Sequence, residues 1–291
     1  MWEKNIKHDS DAMRSMKISI LSFTVTIIIL VGTAATVQAD ETRAEAVSPF
    51  FVNLKVDIPV TFISTLVAVS VRYLEGNLPR AHISKLNSSS VNAMDRSVIG
   101  YHYPGWGTAG HVGTIVIPAA TLCLSLIELP QFGWHGVLED FLIVGESLAM
   151  SAMLNQIVAG SMPRPRPYMY RAANWYKQAN NSSWDWRSFY SGHAGSCFAV
   201  TTAFSYIFMN RYPKSKWVPA VWVISMAASS VVSIARPLAG EHFWSDTLVG
   251  AAIGCAWGIL IPVLHQKKTI KEKGDVDVSF SLNTLSLTCY F

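Results

Sequence analysis

The chain has 291 residues, of which 51% are hydrophobic and 14% charged, and its formal net charge is +4. Soluble domains carry about 25% charged residues, so this composition argues against an ordinary soluble protein and favours a membrane-associated one. The small positive charge is scattered and forms no basic stripe, which argues against nucleic acid as a partner. The four cysteines form neither a CxxC pair nor a cluster with histidines, so a disulfide framework and a zinc site are both unsupported.

Residues 1–39 have the features of a targeting segment. Basic residues, among them Lys4 and Lys17, precede an apolar run that ends in small residues before Asp40. This order is typical of a secretory signal peptide. Because the run is long for a signal, an uncleaved anchor helix is the alternative. Both interpretations predict export or membrane insertion, and they leave residues 40–270 as the main domain.

Six apolar segments follow, and several approach the roughly 20 residues that cross a bilayer. The third carries Glu139, Asp140 and Glu146, which favour a helix packed inside a bundle over one that faces lipid. We therefore expect an all-α, membrane-associated bundle of about six core helices, with polar loops at 73–110 and 160–192. In chain order the segments are 57–72, 111–128, 137–159, 193–210, 217–235 and 246–265.

The last two features of the chain concern packing and the C-terminus. Gly250, Gly254 and Gly258 are spaced four apart on one face of the sixth segment, where they allow a neighbouring helix to approach closely. Residues 271–291 alternate apolar and polar side chains, which predicts a C-terminal strand. We assign that tail no function.

The orientation in the membrane follows from two basic turns. Arg211, Lys214 and Lys216 follow the fourth segment, and a lysine cluster follows the sixth. The positive-inside tendency places both on the cytoplasmic side, so that loops 160–192 and 236–245 face outward. A cleaved signal followed by six spanning segments would reverse this. Either one segment does not span, or the bundle is peripherally attached, or the N-terminal run is retained.

Two polar clusters lie at the mouths of apolar segments. Arg164 and Arg166 alternate with prolines, which stiffen the backbone, and guanidinium forks suit phosphate oxygens; a structural connector is the alternative. Ser191, Gly192 and His193 open the fourth segment, where the unpaired N–H groups of a helix start form an anion site. His193 adds a group that titrates near neutral pH, although a lone histidine there is more often structural.

A third cluster contains Arg236, His242 and Asp246. In a helix the separation of four puts His242 and Asp246 on one face, where the carboxylate can fix the histidine tautomer and leave Nε2 as a nucleophile. Since the fifth segment reverses the chain, all three clusters meet at one end of the bundle. Arginines and two histidines there predict phosphoryl transfer through a phosphohistidine, with one histidine attacking and the other protonating the leaving oxygen. This chemistry requires neither a metal nor a cofactor.

The three clusters resemble the signature of the type-2 phosphatidic-acid phosphatase superfamily, which shares its core with vanadium haloperoxidases and bacterial class A acid phosphatases. That signature is Lys, six residues, Arg-Pro; then Pro-Ser-Gly-His; then Ser-Arg, five residues, His, three residues, Asp. The resemblance implies that His242 is the nucleophile, Asp246 its orienting partner and His193 the general acid. It also implies a phosphate site formed by Arg166, Arg236, Ser191 and the Gly192 N–H.

This chain departs from the signature at three positions. Ala159 stands where the first motif has lysine, Tyr190 replaces the proline, and Ala235 replaces the serine. A missing phosphate-binding lysine weakens the ground-state complex or alters specificity. We expect Arg164 to compensate for it as a phosphate ligand, with Lys177 as a remoter candidate.

Residues 105–110, GWGTAG, match the G-x-G-x-x-G pattern of dinucleotide-binding loops. No predicted strand precedes them and no βαβ unit surrounds them, so dinucleotide binding is not supported. We expect a flexible loop that leads into the second segment, or a lid near the site.

The sequence predicts a metal-independent phosphatase of the cell envelope that hydrolyses a lipid phosphomonoester or diphosphate. Its partners would be a phosphorylated lipid and the membrane, and its active site would face the periplasm or exterior. By resemblance the candidate substrates are phosphatidic acid, phosphatidylglycerol phosphate, undecaprenyl diphosphate and lipid A. Three alternatives remain: a soluble exported acid phosphatase, a vanadate-dependent haloperoxidase, and a catalytically decayed membrane protein.

Overall fold

The structure, a computed structural model, describes residues 47–74, 86–170 and 183–267, together with the backbone of two strands near the C-terminus. The predicted signal or anchor, residues 1–39, and Lys177 lie outside the described residues. The described chain confirms the predicted all-α bundle. Its helices, six of them long, are α1 Leu54–Leu74, α2 Ala93–Arg96, α3 Pro104–Leu124, α4 Leu129–Ser161, α5 Gly192–Arg211, α6 Val218–Leu238 and α7 Trp244–Leu264.

Helix α5 is the centre of the bundle and packs against α3, α4, α6 and α7. Along α5, side chains such as Val200, Phe204 and Ile207 are almost fully buried, and they meet Ile143 of α4 and Ile261 of α7 in the main hydrophobic core. Since α5 is surrounded, the ends of its neighbours converge around its two ends. One of these ends carries the predicted catalytic residues.

The glycines of the last segment allow a neighbouring helix to approach closely, as the sequence predicts. A Cβ on Gly254 would lie 2.4 Å from the carbonyl oxygen of Gly195, and one on Gly258 would lie 2.6 Å from that of Ala199. Only glycine permits so close a contact between the backbones of α5 and α7. The contact starts at Gly250, whose added Cβ would lie 2.5 Å from the Ser191 carbonyl, so it also fixes the first turns of both helices.

Charged residues are buried at the opposite end of α5. The Arg211 guanidinium lies 3.2 Å from a Glu128 oxygen, 3.1 Å from a Glu139 oxygen and 2.9 Å from an Asp140 oxygen, and all four side chains are fully buried. The prediction that the acids of the third segment belong inside a bundle is therefore confirmed. Arg211 is a buried cation of this cluster, so it contributes less to the basic surface than its position after the fourth segment indicated.

The described residues contain four stretches long and apolar enough to cross a membrane, and the chain is a membrane protein. Large apolar side chains on the outer faces, such as Phe62, Val223 and Leu248, are more than half exposed, as expected for surfaces that contact lipid. Helix α5 is not among these stretches, because it is the more polar helix that the others enclose. The four stretches are Leu54–Arg72, Pro104–Ser161, Val218–Leu238 and Trp244–Leu264.

The C-terminal tail contains two strands where the sequence predicted one. Strand β1, Val276–Ser281, pairs with β2, Thr284–Cys289, in an antiparallel hairpin. The register joins Val276 to Cys289 and Ser281 to Thr284.

Candidate active site

The three predicted motifs meet where α4 and α6 end and where α5 and α7 begin. The rings of His193 and His242 lie with their centroids 6.3 Å apart, in an edge-to-face arrangement. The backbone N–H of Ser191 donates to the carbonyl oxygen of Asp246 at 3.0 Å, which joins the first turn of α5 to that of α7. The structure thus brings the second and third motifs into direct contact.

His242 lies in the short loop before α7 and is only 2% exposed. Its Nδ1 lies 2.7 Å from the carbonyl oxygen of Ser188. Because a carbonyl oxygen can only accept, Nδ1 carries the proton and Nε2 keeps its lone pair. Burial lowers the pKa of His242 well below its ordinary value, and the charges of Arg166 and Arg236 lower it further. His242 is therefore a neutral imidazole with a free Nε2.

Asp246 supports His242 less directly than the sequence predicted. Its Oδ2 lies 3.8 Å from His242 Nδ1, beyond hydrogen-bond distance. The same oxygen accepts a 2.5 Å hydrogen bond from the Ser188 hydroxyl and a 2.8 Å bond from the Phe243 N–H. Asp246 thus holds the two backbone segments on either side of the imidazole, and the Ser188 carbonyl sets the tautomer. Sequence reasoning missed Ser188, which lies two residues before Tyr190, the first residue of the second motif.

Two arginines converge on one carboxylate oxygen. Arg166 Nη1 donates to Glu241 Oε2 at 3.1 Å, and Arg236 Nη2 donates to the same oxygen in a short contact. Both guanidinium groups are at least 97% buried. The Arg166 guanidinium also stacks over the Trp184 ring at 5.0 Å. Two forks aimed at one anionic oxygen form the arrangement that binds a phosphate.

Glu241 was not predicted from the sequence. It lies immediately before His242, within the five residues that separate Arg236 from that histidine. Burial alone would raise the pKa of Glu241, but Arg236 and Arg166 together hold it below its ordinary value. The side chain is therefore an anion, still 24% exposed, that occupies both arginines. Its position in the sequence, directly beside a predicted anion site, was the signal from which an ion pair with the arginines could have been predicted.

The start of α5 has the form of an anion site. Ser191 is the N-cap residue, and its hydroxyl oxygen accepts from the Ala194 N–H at 3.4 Å. Gly192 and His193 follow in the first turn, where backbone N–H groups have no partner within the helix. Asn155 of α4 supports this turn, because its amide donates to the Tyr190 carbonyl at 2.7 Å. A Cβ on Gly192 would lie 2.6 Å from Asn155 Oδ1, so a larger residue here would displace the Asn155 amide.

A third histidine, which sequence reasoning missed, contacts His193. His111 of α3 places its Nδ1 3.0 Å from His193 Nε2, so one of the two nitrogens carries a proton that the pair shares. His111 Nε2 lies 3.8 Å from Glu241 Oε1. Burial lowers the pKa of His193 well below its ordinary value, followed by the charges of Arg236 and His242. His111 lies 82 residues from His193 in the chain, and no motif marks it.

Arg164, which the sequence predicts as a phosphate ligand, pairs with carboxylates in the structure. Its Nη2 donates to Asp95 Oδ2 at 2.9 Å, its Nη1 forms a short contact with Asp246 Oδ1, and its guanidinium stacks over Phe243 at 4.2 Å. Arg164 thus pairs with two buried carboxylates, those of Asp246 and Asp95, and the prediction that it joins the phosphate ligands stays a prediction.

Asp95, which precedes all three motifs, completes this ion-pair network. It is fully buried and accepts hydrogen bonds from the Ser245 N–H at 2.9 Å and the Ser245 hydroxyl at 2.6 Å. Burial alone would raise the pKa of Asp95, but the bonds from Ser245 and Arg164 hold it below its ordinary value. Its charge keeps Arg164 in place beside Asp246.

The lysine position of the first motif is apolar and closed. Ala159 of α4 is only 4% exposed. Since Arg164 is engaged elsewhere, the arginines that the described residues direct to the anion site are Arg166 and Arg236. His111, exposed beside Glu241, adds a further nitrogen next to this carboxylate.

Residues 105–110 are helical, which corrects the predicted flexible loop or lid. They form the first turns of α3, and the Arg236 side chain passes between α3 and α6 at this point. Arg236 Nη1 donates to the Gly107 carbonyl at 3.4 Å. A Cβ on Gly110 would lie 2.8 Å from Arg236 Cδ and 2.9 Å from its Nη1. The glycines thus make room for a buried arginine.

Comparison with known proteins gives two similarities. The family model described as the PAP2 superfamily matches residues 140–270. A solved structure, the first transmembrane PAP2 type phosphatidylglycerolphosphate phosphatase from Bacillus subtilis, is similar over 70% of this chain and 93% of that chain, with 18% identity and a TM-score of 0.39. No curated protein matches the chain. The family match includes all three predicted motifs, and it excludes His111 and Asp95.

Proposed function

We propose that this membrane protein is a phosphatase of the PAP2 superfamily, whose family model matches residues 140–270, and that it hydrolyses a lipid phosphomonoester or diphosphate. One observation carries this proposal: Arg166 and Arg236 converge on a single anionic oxygen of Glu241, next to His193 and His242. A substrate phosphate offers three oxygens with the same charge and geometry. It would displace the Glu241 carboxylate and take over both guanidinium forks.

The proposed reaction begins at His242. Its Nε2 lone pair attacks the phosphorus in line with the leaving oxygen, which forms a P–N bond and breaks the P–O bond. The two arginines and the first N–H groups of α5 stabilise the charge on the equatorial oxygens. In the second half, water attacks the phosphohistidine, gives up its proton, and releases phosphate and neutral His242. The proposal assigns no step to a metal ion, because the arginines supply the positive charge.

The leaving oxygen needs a proton, and His193 is the proposed donor. The contact between His193 Nε2 and His111 Nδ1 supports this role, because the pair would hold the proton that the transfer consumes. Displacement of Glu241 from the arginines would leave its carboxylate next to His111, where a negative charge favours the protonated imidazole. Substrate binding would thus load the histidine pair with the proton that the reaction consumes, and His193 would regain it from the attacking water.

These assignments predict the pH dependence of kcat/KM. His242 must be neutral, so the rate falls as the pH drops through its pKa; His193 must be protonated, so the rate falls as the pH rises through its pKa. The surroundings lower both values from 6.5, and kcat/KM reports groups of the free enzyme. We expect a bell-shaped profile with its maximum on the acid side of 6.5. The control is His193→Gln. In this variant kcat/KM should no longer fall as the pH rises. If the fall persists, the group that titrates there belongs to the substrate and not to His193.

A groove in the outer surface supports a lipid substrate. It has a volume of about 390 Å³ and lies between α1 and α4, where apolar side chains such as Val69 and Leu148 line it. Arg72 is part of its lining, and the Arg72 guanidinium stacks over Trp184 at 4.4 Å, the ring that Arg166 also contacts. An acyl or prenyl chain in this groove would place its polar end beside the arginine site.

The basic residues support a site that faces the periplasm or exterior. Lys214 and Lys216 are exposed, and they follow the end of α5 that is remote from the histidines. Lys267 follows the corresponding end of α7. The positive-inside tendency would hold this end of the bundle in the cytoplasm, and the active site would then open on the opposite side of the membrane.

A substrate panel tests the proposed function. The purified full-length chain in detergent is given phosphatidic acid, phosphatidylglycerol phosphate, an undecaprenyl diphosphate and lipid A, with a water-soluble phosphomonoester as the comparator. We expect phosphate release with kcat/KM at least about tenfold higher for one of the lipids, because burial of an apolar chain contributes binding energy. Equal values for the soluble ester would favour the acid-phosphatase alternative. If no phosphate is released from any substrate of the panel, a catalytically decayed site is favoured. Ala159, which stands at the lysine position of the first motif, is the reason for considering that alternative.

A further inference from the structure

The end of the bundle remote from the histidines contains a second cluster of chemically active side chains. Asp57 of the first turns of α1, Glu146 of α4 and His265, which follows the last residue of α7, each present one donor atom. These three atoms all lie within 4.8 Å of one another. The residues are 7%, 5% and 6% exposed, respectively, so the cluster is almost fully enclosed.

The orientation of His265 directs a lone pair at the two carboxylates. Its Nδ1 lies 2.9 Å from the Ile261 carbonyl oxygen and therefore donates to it. In the neutral imidazole the lone pair is then on Nε2, which lies 3.4 Å from Asp57 Oδ2 and 3.6 Å from Glu146 Oε2. A histidine that donates its other N–H to a backbone carbonyl is the usual arrangement of a metal ligand.

These distances suit a cation between the three atoms. Ligands at about 2.0–2.1 Å from a tetrahedral Zn²⁺ lie about 3.3 Å from one another, close to the spacings of His265 Nε2 to the two carboxylates. Glu146 Oε2 is buried and has no hydrogen-bond donor among the described residues. An unpaired buried carboxylate oxygen is costly unless a cation compensates it.

The two buried acidic clusters differ in the kind of cation that the chain supplies. Arg211 is a permanently charged partner of Glu128, Glu139 and Asp140. Within the described ranges, neither Asp57 nor Glu146 forms an ion pair with an arginine or a lysine, and their ion-pair partner is His265. The second cluster therefore consists of two carboxylates around an imidazole, without a permanent cation.

We propose that Asp57, Glu146 and His265 bind one divalent transition-metal cation, with Zn²⁺ the best fit. One imidazole nitrogen and two carboxylate oxygens form a mixed donor set, whereas Mg²⁺ and Ca²⁺ prefer oxygen ligands alone. The ion would join α1, α4 and α7, and water would complete its coordination. From the sequence alone we expected no metal site in this chain.

The proposed ion has a structural role and no part in hydrolysis. His265 follows the last turn of α7, whose first turn carries Asp246, and the 1.5 Å rise per residue separates them by about 28 Å. Backbone hydrogen bonds hold two of the three residues in place. The Asn53 N–H donates to Asp57 Oδ2 at 2.6 Å, and the Phe51 N–H donates to the His265 carbonyl at 2.9 Å. Loss of the ion is expected to loosen α1 and to leave the histidine site intact.

Metal content and thermal unfolding of the full-length chain test the proposal. The purified protein is stripped with a chelator, incubated with Zn²⁺, Mg²⁺ or Ca²⁺, and freed of unbound ions. We expect one equivalent of zinc per chain, and a Tm that rises by several degrees with Zn²⁺ alone, since a ligand of the folded state stabilises it. Absence of stoichiometric zinc, together with a Tm that Zn²⁺ does not change, would overturn the proposal and leave an imidazolium–carboxylate ion triad.

Variants assign the ion to these three residues. Glu146→Gln and Asp57→Asn keep the side-chain shape, and we expect both to lose the bound zinc and its effect on Tm. The matched control is His135→Gln, which changes an exposed histidine outside the cluster and should retain both. Zinc retained by Glu146→Gln at the wild-type level would contradict the proposed ligands. His242→Ala should bind zinc normally, so failure of the phosphatase proposal and failure of the metal proposal give different results.

Discussion

Replacement of His242 by alanine is expected to reduce phosphate release roughly 10⁴-fold or more, because it removes the attacking atom of a residue group that acts as a unit. The measurement is the initial rate of phosphate release from the best lipid of the panel. Reactions with labelled substrate, quenched in alkaline detergent, should also yield a protein-bound phosphate that later acid treatment releases in the wild type, and none in the variant.

The control for His242→Ala is His135→Ala. His135 is an exposed histidine near the start of α4, with its side chain 76% exposed, and its loss should leave the rate unchanged. Thermal unfolding of both variants checks that the bundle is intact, since His242 is buried and its removal leaves a small cavity. If His242→Ala releases phosphate at a rate within about tenfold of the wild type, the rate is too high for an enzyme that has lost its nucleophile. That result would rule out the proposed phosphohistidine intermediate.

Gly110→Ala is expected to lower kcat/KM by about 100-fold without a direct change to any motif residue. The added Cβ would lie 2.8 Å from Arg236 Cδ, so the buried guanidinium must move away from the anion site. A displacement of about 1 Å at a catalytic group is enough for an effect of this size. Kinetics with the best lipid substrate, at a pH near the optimum, provide the measurement.

Two glycines of the same helix serve as matched controls for Gly110→Ala. A Cβ on Gly105 has no atom within 4 Å, so Gly105→Ala should keep full activity. A Cβ on Gly113 would lie 2.5 Å from Val232 Cγ2, which strains the packing of α3 on α6 without contact to Arg236. We expect Gly113→Ala to lower Tm and to retain most of the activity. Equal loss of activity in Gly110→Ala and Gly113→Ala would show that packing, not Arg236, is responsible.

The sequence predicted those features of the fold and site that depend on short-range spacing. The spacing of four between the glycines of α7 places three backbone contacts on one face of that helix. The four-residue separation of His242 and Asp246 keeps both near the start of α7, although His242 itself lies in the preceding loop. Helix α6, which reverses the chain between α5 and α7, brings Arg236 to the same end. Each of these features depends on spacing within a short stretch of chain or within one helix, so a single sequence was sufficient to predict them.

Contacts between residues far apart in the chain could not be predicted in this way. His111 reaches His193 across 82 residues, and Asp95 reaches Arg164 across 69. Neither His111 nor Asp95 lies in a motif. Arg164 was assigned to phosphate because nothing near it in the sequence competes for its charge. The competitor, Asp95, becomes its neighbour only when α2 packs against the first turn of α7.

The carboxylate of Glu241 has a consequence for turnover. Because it is tethered to the loop that holds His242, it competes with free phosphate at a high effective concentration and needs no diffusion to return. Under the proposed function, inorganic phosphate formed in the site would leave a pair of arginines that at once regain an internal partner. Product would then depart readily, and free phosphate would not saturate the site.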